Sequence, residues 1–518
     1  ALIAHEANSW ERKYLSASKF NLVDPDGNEF NNAVGSNPPT SYTDDYTLES
    51  YFGQINYDFD KKYFISGTIR RDGSSRFLND KWGTFGSIGA AWVLSNEEFM
   101  QNQNVFNNLK VKTSYGIIGE QGGVGFYPGY DLYESSNLNG NISLSFDSKG
   151  NPDLTWETSK MFQTGIEMGI GNFLDVAVDY YVKNTDDLIF DRRVGPSLGY
   201  ATIKVNDGQL RNSGLEFDVQ AHIVQTKDFY LDFGVNGEVL TNELTQMPID
   251  PATGQEKVLN IDGYFGQSQG HSIYDFYMRE WAGVDPDTGS AMWNQYFYDA
   301  NGDGQLQADE ETINSMTDYL AANPDRANAI GKTTTTVYQN STQKYIGKSA
   351  IPDVRGAFRL STGYKGFSLS AQFLYGIGGY SYDFVYSQLM SNDQIGNANY
   401  HVDILDRWQQ PGDITNVPRL SSNADGDTNF ASASTRFLTK ADYLSLNNIR
   451  LGYQIPRNYI DQIGLADMEF WISGDNLFLF SERDGFNPTA SEDGGTGWYQ
   501  YAPLSLSLIH ISEPTRPY

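Results

Sequence analysis

The chain has 518 residues, a formal net charge of −29 and no cysteine. This length exceeds what a single hydrophobic core usually supports, so we expect either several domains or one very large β architecture. The lack of cysteine excludes disulfides and thiolate metal sites, and the excess of Asp and Glu over Lys and Arg argues against a nucleic-acid partner.

Hydropathy excludes one kind of membrane segment and leaves another open. No run approaches ~18 consecutive apolar residues, and the mean hydropathy of −0.49 predicts no transmembrane helix. A transmembrane β-barrel stays open, because each of its strands needs only about ten alternating residues. Residues 1–20 contain no methionine and no signal-peptide core, so we expect either a cytosolic protein or a gene whose beginning is missing.

The stretch YFGQINYDFDKKYFISGTIRR, residues 51–71, predicts two strands joined by a charged turn. Its odd-numbered positions are mainly Tyr, Ile and Phe, and its even-numbered positions are mainly polar. Two arrangements fit this alternation: a sheet between a protein core and water, or a sheet between lipid and a wet lumen.

The same period of two recurs along the chain and gives about a dozen strands in total. After the first pair, the predicted strands lie at 83–94, 108–117, 160–169, 173–183, 213–224, 229–240, 355–364, 367–376, 442–455 and 467–475. Helical periodicity is scarce, and the best candidate, at 309–330, predicts only a short local helix. The sequence therefore predicts an all-β protein.

The connections between these strands alternate in length. Tight turns follow Phe59, Gly169, Val224 and Tyr364. Long polar stretches occupy 118–158, 184–212, 241–354 and 377–441. Tight turns at one end of a sheet and long loops at the other are typical of an outer-membrane barrel. A large soluble β-sandwich stays an alternative, whereas a propeller is disfavoured because no repeat of about 40–50 residues is visible.

Charged residues stand at alternate positions on two of the predicted strands: Asp175, Asp179 and Lys183 on one, Asp232 and Glu238 on the other. A wide, wet lumen would solvate these groups. A small barrel or sandwich would have to bury them, at several kcal/mol each unless they are paired.

Several longer segments have a distinctive sequence: ESYFGQINYDFDKKYFISGTIRRDGSSRF, WGTFGSIGAAWVLSNEEFM, LKVKTSYGIIGEQ, NPDLTWETSKMFQTGIEMGI and DYLSLNNIRLGYQIP. These segments resemble SusC/RagA-like TonB-dependent outer-membrane transporters of the Bacteroidetes type. The matching segments follow the family's order from about residue 45 to 503. The resemblance implies a transmembrane antiparallel β-barrel that is partial, namely the C-terminal portion of a 22-stranded barrel. On this interpretation residues 1–505 form an incomplete barrel, and the family's plug domain and TonB box are absent.

The last residues follow a different pattern. Where the family's closing strand is expected, the chain reads LSLIHISEPTR at 506–516, which back-translates into a transposase sequencing adapter. We therefore expect 506–518 to be an artefactual tail from read-through, and exclude it from the predicted barrel. A genuine amphipathic tail is the alternative.

One motif predicts a metal site within the longest loop, 241–354. DANGDGQLQADE, residues 299–310, fits the pattern of a Ca²⁺-binding loop without a mismatch. The predicted ligands are the side chains of Asp299, Asn301, Asp303 and Glu310 and the backbone carbonyl of Gln305, while Gly304 allows the sharp turn. Asp309 is an alternative to Glu310, and an Asx-rich turn that binds no metal is the alternative to the site itself.

Catalytic motifs are absent, so we predict no enzyme, no catalytic residues and no organic cofactor. Aromatic residues in the long loops are able to stack on sugar rings, although none is assigned as a ligand contact: Tyr127, Tyr130, Tyr133, Tyr200, Trp293, Tyr296 and Tyr380.

The resemblance implies TonB-dependent active import across the outer membrane of a Gram-negative bacterium. The implied cargo is an oligosaccharide first and a peptide second. The implied partners are a SusD-like surface lipoprotein, the TonB complex and outer-membrane lipid. The alternative function is a secreted, soluble, calcium-stapled β protein that binds or cleaves glycans.

Overall fold

The computed structural model describes residues 1–250, 253–391, 396, 399–420, 429, 431–490 and the backbone of 507–515. Its main feature is one antiparallel sheet of fourteen strands, in which each strand pairs with the next one along the chain. The strands are β1 (Leu2–Ser16), β2 (Thr40–Phe59), β3 (Tyr63–Ser74), β4 (Trp82–Val93), β5 (Phe106–Glu120), β6 (Glu157–Ile170), β7 (Leu174–Asp186), β8 (Gln209–Gln225), β9 (Phe229–Gln246), β10 (Val354–Tyr364), β11 (Phe367–Ile377), β12 (Tyr443–Gln454), β13 (Asp467–Ser481) and β14 (Ser507–Thr515).

One face of this sheet carries large apolar side chains that are exposed. Ile55, Ile69 and Ile88 have 63%, 63% and 61% of their surface exposed, and Tyr57 has 57%. A soluble sheet would cover such a continuous apolar face with a second layer of protein. The exposure shows that this face is not packed in a dry protein interior, which agrees with the predicted transmembrane barrel wall.

All the strands predicted from alternation belong to this sheet, but most are longer than the apolar pattern indicated. β9, for example, continues to Gln246 because its backbone pairs with Gln209 on β8. The longest loop therefore spans 247–353 instead of 241–354. β1 was not predicted, because its side chains are mainly polar and backbone pairing with β2 from Leu2 to Ser16 holds the strand.

The strand order places the two kinds of connection at opposite rims. Because consecutive strands are antiparallel neighbours, alternate connections lie on the same side of the sheet. The tight-turn rim carries the connections 60–62, 94–105, 171–173, 226–228, 365–366 and 455–466. The long-loop rim carries 17–39, 75–81, 121–156, 187–208, 247–353 and 378–442. The four predicted tight turns lie at one rim, as predicted. The exceptions to the pattern of lengths are 94–105 and 455–466, which are longer connections at this rim, and 75–81, which is a short one at the other.

Aromatic rings gather on the apolar face beside the tight-turn rim. Tyr63 stacks on Trp92 with ring centroids 6.1 Å apart, and Phe367 lies 4.4 Å from Tyr453. Phe59 ends β2 at the same rim and lies 6.4 Å from Tyr63. Such a belt is expected where a barrel wall meets the membrane–water interface, because these rings suit an environment between apolar and polar.

The long loops fold into small structures of their own. Their strands are Lys19–Leu22, Ala33–Ser36, Leu132–Leu138, Asn141–Ser148, Ile189–Arg193, Thr202–Asn206, Ile249–Asp250, Gln255–Glu256, Asn260–Asp262, Phe265–Gln267, Asp275–Arg279, Trp281–Val284, Ala291–Tyr298, Thr312–Ile313, Ile330–Thr335, Gln343–Ser349, Tyr380–Tyr382 and Leu438–Lys440. The helices are α1 (Met316–Ala322), which is the predicted short helix, α2 (Phe384–Leu389) and, in the last tight-rim connection, α3 (Arg457–Ile460). Among the described residues, no helix has both the length and the apolar character needed to cross a membrane.

The dry cores of the molecule lie within these loops. Phe276 and Met278 from the loop 247–353 pack with Tyr382 and Phe437 from the loop 378–442. A second cluster joins Phe77, Val124, Leu154 and Trp156 from shorter loops at the same rim. The loops are therefore held by hydrophobic burial between them, as in a soluble domain, whereas the apolar face of the sheet is exposed.

The strand β14 falls in the segment 506–518, which the sequence analysis assigned to adapter read-through. Its backbone pairs with β13 from Asp467 opposite Thr515 to Asp475 opposite Ser507. Residues 507–515 thus take a strand position in the sheet, whereas the sequence predicts no barrel strand there. The adapter origin of its coding sequence stays a prediction.

Candidate functional site

The face of the sheet opposite the apolar one is lined by ion pairs between strands. Nζ of Lys112 lies 3.1 Å from a carboxylate oxygen of Glu167 and 3.0 Å from one of Asp179. Further along the wall, Arg355 pairs with Glu238 at 2.9 Å. Because the two faces alternate along every strand, this lining follows directly from the period of two.

Four of the charged residues predicted to face a lumen are partnered in this lining: Asp175, Asp179, Asp232 and Glu238. Asp179 and Glu238 belong to the ion pairs above. Asp175 and Asp232 flank the imidazole of His222, at 3.2 Å from Nε2 and 2.7 Å from Nδ1. Side chains that are paired yet partly exposed indicate a wall in contact with water.

The predicted calcium loop is compact and internally hydrogen-bonded. The carboxylate of Asp299 accepts hydrogen bonds from the backbone N–H groups of Gly302 and Gly304, both at 2.8 Å. Oδ1 of Asn301 accepts from the N–H of Asp303 at 2.9 Å. Both glycines have positive φ, 73° and 72°, which other residues rarely adopt. The structure thus brings the first three predicted ligands into a single turn.

The other two predicted ligands, Gln305 and Glu310, also form hydrogen bonds within the loop. Gln305 donates its N–H to Asp303 at 2.8 Å. Glu310 accepts from the N–H of Gln307 at 3.0 Å, and its other carboxylate oxygen, Oε1, is buried without a hydrogen-bond partner among the described residues. Gln307, which the motif does not specify, bridges the loop because its side chain contacts Asn301 and Asp303. Within the described ranges, no three or more Asp, Glu, His or Cys side chains are grouped as a metal site.

The loop aromatics divide into structural and exposed residues. Trp293 is 2% exposed and packs edge-on against Trp281 and Tyr338, with centroids 5.7 and 5.2 Å apart. In contrast, Tyr130 and Tyr133 are 50% and 59% exposed. The sequence did not separate these roles, because both kinds of residue lie in Gly- and Asn-rich segments.

Tyr296 also has a structural partner. Its hydroxyl donates to Glu280 at 2.7 Å, and the side-chain amide of Asn294 donates to the same carboxylate at 3.1 Å. Burial opposes ionisation of Glu280, yet these hydrogen bonds and nearby Lys344 hold the pKa of its carboxyl below the usual range. This half-buried polar pair joins the strands of the loop 247–353.

The comparison with protein families decides the identity of the sheet. The sequence profile of the family described as TonB dependent receptor-like, beta-barrel matches residues 6–328, more than half of the chain. The chain belongs to this family. The resemblance to SusC/RagA-like transporters is confirmed by relatives and by solved structures.

This TonB-dependent receptor barrel is 28% identical to TonB-dependent receptor P3 of Formosa agariphila over 468 residues, 88% of the chain and 43% of that protein. It is 26% identical to TonB-dependent receptor SusC of Bacteroides thetaiotaomicron over 476 residues, 87% of the chain and 42% of that protein. A solved structure of the RagAB peptide transporter superposes with a TM-score of 0.78 at 27% identity, covering 98% of this chain and 52% of the other. The chain spans about half the length of the relatives it matches.

Family membership settles several of the sequence predictions. A TonB-dependent receptor barrel of this type lies in the outer membrane of a Gram-negative bacterium, so the alternative of a secreted soluble β protein is wrong. The family consists of receptors and transporters, which agrees with the prediction that the chain is not an enzyme. The apolar face of the sheet is accordingly the lipid face, and the ion-paired face lines the lumen.

Proposed function

We propose that this chain forms the wall and extracellular loops of a TonB-dependent importer. The observation that carries the proposal is the chemistry of the two faces of one sheet, apolar and exposed on one side and ion-paired on the other. Gating by a plug and a lid would move the cargo through differential affinity between open and closed states. A deletion strain provides the test, because it should lose uptake of the cargo and regain it only with the intact gene and a working TonB complex.

An oligosaccharide is the cargo that we propose first, with a peptide second. Exposed rings such as Tyr130 and Tyr133 at the long-loop rim suit the flat faces of sugars. A peptide is the second candidate, because the similar RagAB structure is that of a peptide transporter. Growth of the deletion and complemented strains on single oligosaccharides, with a peptide hydrolysate as the alternative, separates the two. Growth that depends on the gene only with peptides would contradict the oligosaccharide proposal.

A SusD-like surface lipoprotein is the partner that we propose at the long-loop rim. The packed cores within these loops give a firm surface for such a lid, because Phe276, Tyr382 and Phe437 are almost fully buried. Coexpression with a SusD-like lipoprotein from the same organism should yield a complex that survives gel filtration in detergent. Separate elution of the two proteins would contradict this part of the proposal.

The loop 299–310 is proposed to hold a structural Ca²⁺ ion. The buried, unpartnered Oε1 of Glu310 and the clustered oxygens of Asp299, Asn301 and Asp303 fit a hard, oxygen-preferring cation. The backbone carbonyl of Gln305 would complete the set. The ion would tie the strand Ala291–Tyr298 to the segment that follows the loop, as a staple without a catalytic role.

Calcium titration of two matched variants tests this site. Glu310→Gln should lose the Ca²⁺-dependent rise in unfolding temperature, since binding to the folded state alone stabilises it. Asp309→Asn is the matched control and should keep that rise. If Asp309→Asn loses the Ca²⁺-dependent rise and Glu310→Gln keeps it, Asp309 is the ligand instead of Glu310. If both variants and Asp299→Ala all keep the rise, the proposed site is contradicted.

A further inference from the structure

The first two strands of the sheet continue as a ribbon beyond their neighbour. β3 pairs with β2 only from Leu48 onward, whereas β1 pairs with β2 as far as Thr40. Residues 9–16 and 40–47 therefore form a two-stranded ribbon at the long-loop rim, which we term the rim ribbon. Even-numbered positions of β2 share a face with Ser50, whose hydroxyl bonds Arg70 of the lumen lining at 2.9 Å.

The lumen-facing side of the rim ribbon presents two exposed tyrosines beside an ion pair. Tyr14 and Tyr42 stand opposite each other, with ring centroids 4.9 Å apart and an interplanar angle of 25°. They are 44% and 48% exposed. One rung below, Arg12 contacts Asp44 at 2.6 Å, and its guanidinium lies 5.7 Å from the ring centroid of Tyr42.

The next rung fixes the ribbon against a loop. The indole of Trp10 stacks on Phe126, with centroids 5.2 Å apart and planes 7° apart. The guanidinium of Arg76 lies 4.6 Å from the ring centroid of Tyr46 and 5.2 Å from that of Phe126. These contacts occupy the lower aromatic pair, so the upper pair of tyrosines is the one left open to a ligand.

We propose that Arg12, Tyr14, Tyr42 and Asp44 form a binding subsite for a neutral oligosaccharide. Exposed tyrosine faces stack on the C–H faces of a pyranose ring, while the adjacent guanidinium and carboxylate offer donors and acceptors to neighbouring hydroxyls. The paired opposite charges favour a neutral sugar over an anion. The subsite rests on the proposed import function and specifies where the cargo is first held.

The position of the subsite suits an oligosaccharide that enters the lumen from the long-loop rim. Tyr14 and Trp10 are four residues apart on one strand, about 13 Å. An oligosaccharide stacked on the tyrosines therefore extends along the ribbon toward the ion-paired wall below. Sequence reasoning missed these residues because β1 was not recognised as a strand, although Trp10, Arg12 and Tyr14 alternate there.

Binding to the full chain, purified from outer membranes in detergent, tests the subsite. The probes are maltohexaose, cellohexaose and laminarihexaose, with an uncharged hexapeptide as the competing class. Tyr14→Ala and Tyr42→Ala should each weaken binding of the preferred hexasaccharide about tenfold, the loss expected for one stacked ring. Tyr459→Ala, which removes an exposed tyrosine at the opposite, tight-turn rim, is the matched control and should bind as the original chain does.

A conservative variant distinguishes a ligand contact from general packing. Arg12→Lys keeps the charge but loses the planar fork, so it should weaken sugar binding several-fold without changing the heat-modifiable migration of the barrel. Undiminished sugar binding in Tyr14→Ala and Tyr42→Ala would overturn the subsite. It would not contradict the import function, which is tested separately by gene-dependent uptake. Binding of the hexapeptide alone, or of none of the three hexasaccharides, would overturn the sugar assignment.

Discussion

Nζ of Lys112 on β5 reaches Oδ1 of Asp179 on β7 at 3.0 Å, across the intervening strand β6. The residue between them on β6 is Gly165, which pairs with both. A Cβ atom at this position would lie 2.2 Å from Oδ1 of Asp179 and 2.9 Å from Cε of Lys112. The absence of a side chain at position 165 is therefore what allows two strands that are not neighbours to share an ion pair.

Gly165→Ala should separate this pair and destabilise the barrel by about 1 kcal/mol, the scale of a partly exposed ion pair. A double-mutant cycle on Lys112→Ala and Asp179→Ala, measured by urea unfolding, should show coupling in the original chain and none in the Gly165→Ala background. Gly67→Ala is the control, because a Cβ there meets nothing closer than 4.0 Å. Equal coupling in both backgrounds would contradict the bridge.

Two adjacent positions on β4 distinguish the lipid face from the lumen face. Ile88 is 61% exposed on the apolar side, whereas the hydroxyl of Ser87 contacts that of Thr68 at 2.7 Å on the polar side. Ile88→Arg should cost about 2–4 kcal/mol near the middle of the bilayer, and Ser87→Arg much less. The yield of heat-modifiable barrel in outer membranes measures this difference, and equal yields would count against the assignment of faces.

Ionisation of Glu280 should make the stability of the long loop pH-dependent. Burial opposes ionisation, but hydrogen bonds from Tyr296 and Asn294 lower the pKa of this carboxyl. Its stabilisation is therefore present above the ordinary glutamate pKa of about 4.3 and is lost as the pH falls through the lower folded value. Glu280→Gln should cost about 1–2 kcal/mol at pH 7 and little in acid.

Protease susceptibility of the loop 247–353 across this pH range is the measurement for that prediction. Glu311→Gln serves as the control, since its ion pair with Arg326 leaves 58% of the Glu311 side chain exposed. The Glu311→Gln variant should show nearly the protease susceptibility of the original chain at every pH. A difference between Glu280→Gln and the original chain that persists undiminished in acid would refute the role of ionisation.

Trp293 should be essential for the folding of the loop 247–353 and dispensable for the folding of the barrel sheet. It is 2% exposed in the loop core, so Trp293→Ala should cost about 3–5 kcal/mol of local stability. Because the loop carries its own core, limited proteolysis should cut 247–353 while the sheet keeps its heat-modifiable migration. Tyr130→Ala, at an exposed position, should leave the loop resistant. Loss of the barrel together with the loop would show that the two fold as one unit.

Most of the strand order could be predicted from local alternation. Residues such as Tyr57 and Ile65 were placed on the lipid face, and Asp179 on the lumen face, because successive side chains of a strand point to opposite sides. The lengths of the connections then gave the two rims. The calcium site stays a prediction, which the sequence allows because the ligand spacing is a local property of residues 299–310.

Contacts between distant segments were not predictable in the same way. Backbone pairing with β2 makes β1 a strand although its apolar pattern is weak. Tyr14 lies opposite Tyr42 because of the register of this pairing. The core that joins Phe276 to Tyr382 likewise unites two loops far apart in sequence. By itself the sequence determined which side chains of each strand share the apolar face, since that depends on neighbours two residues apart. The tertiary structure alone decided which loop aromatics are buried and which stay open to a ligand, because burial depends on segments that meet only after folding.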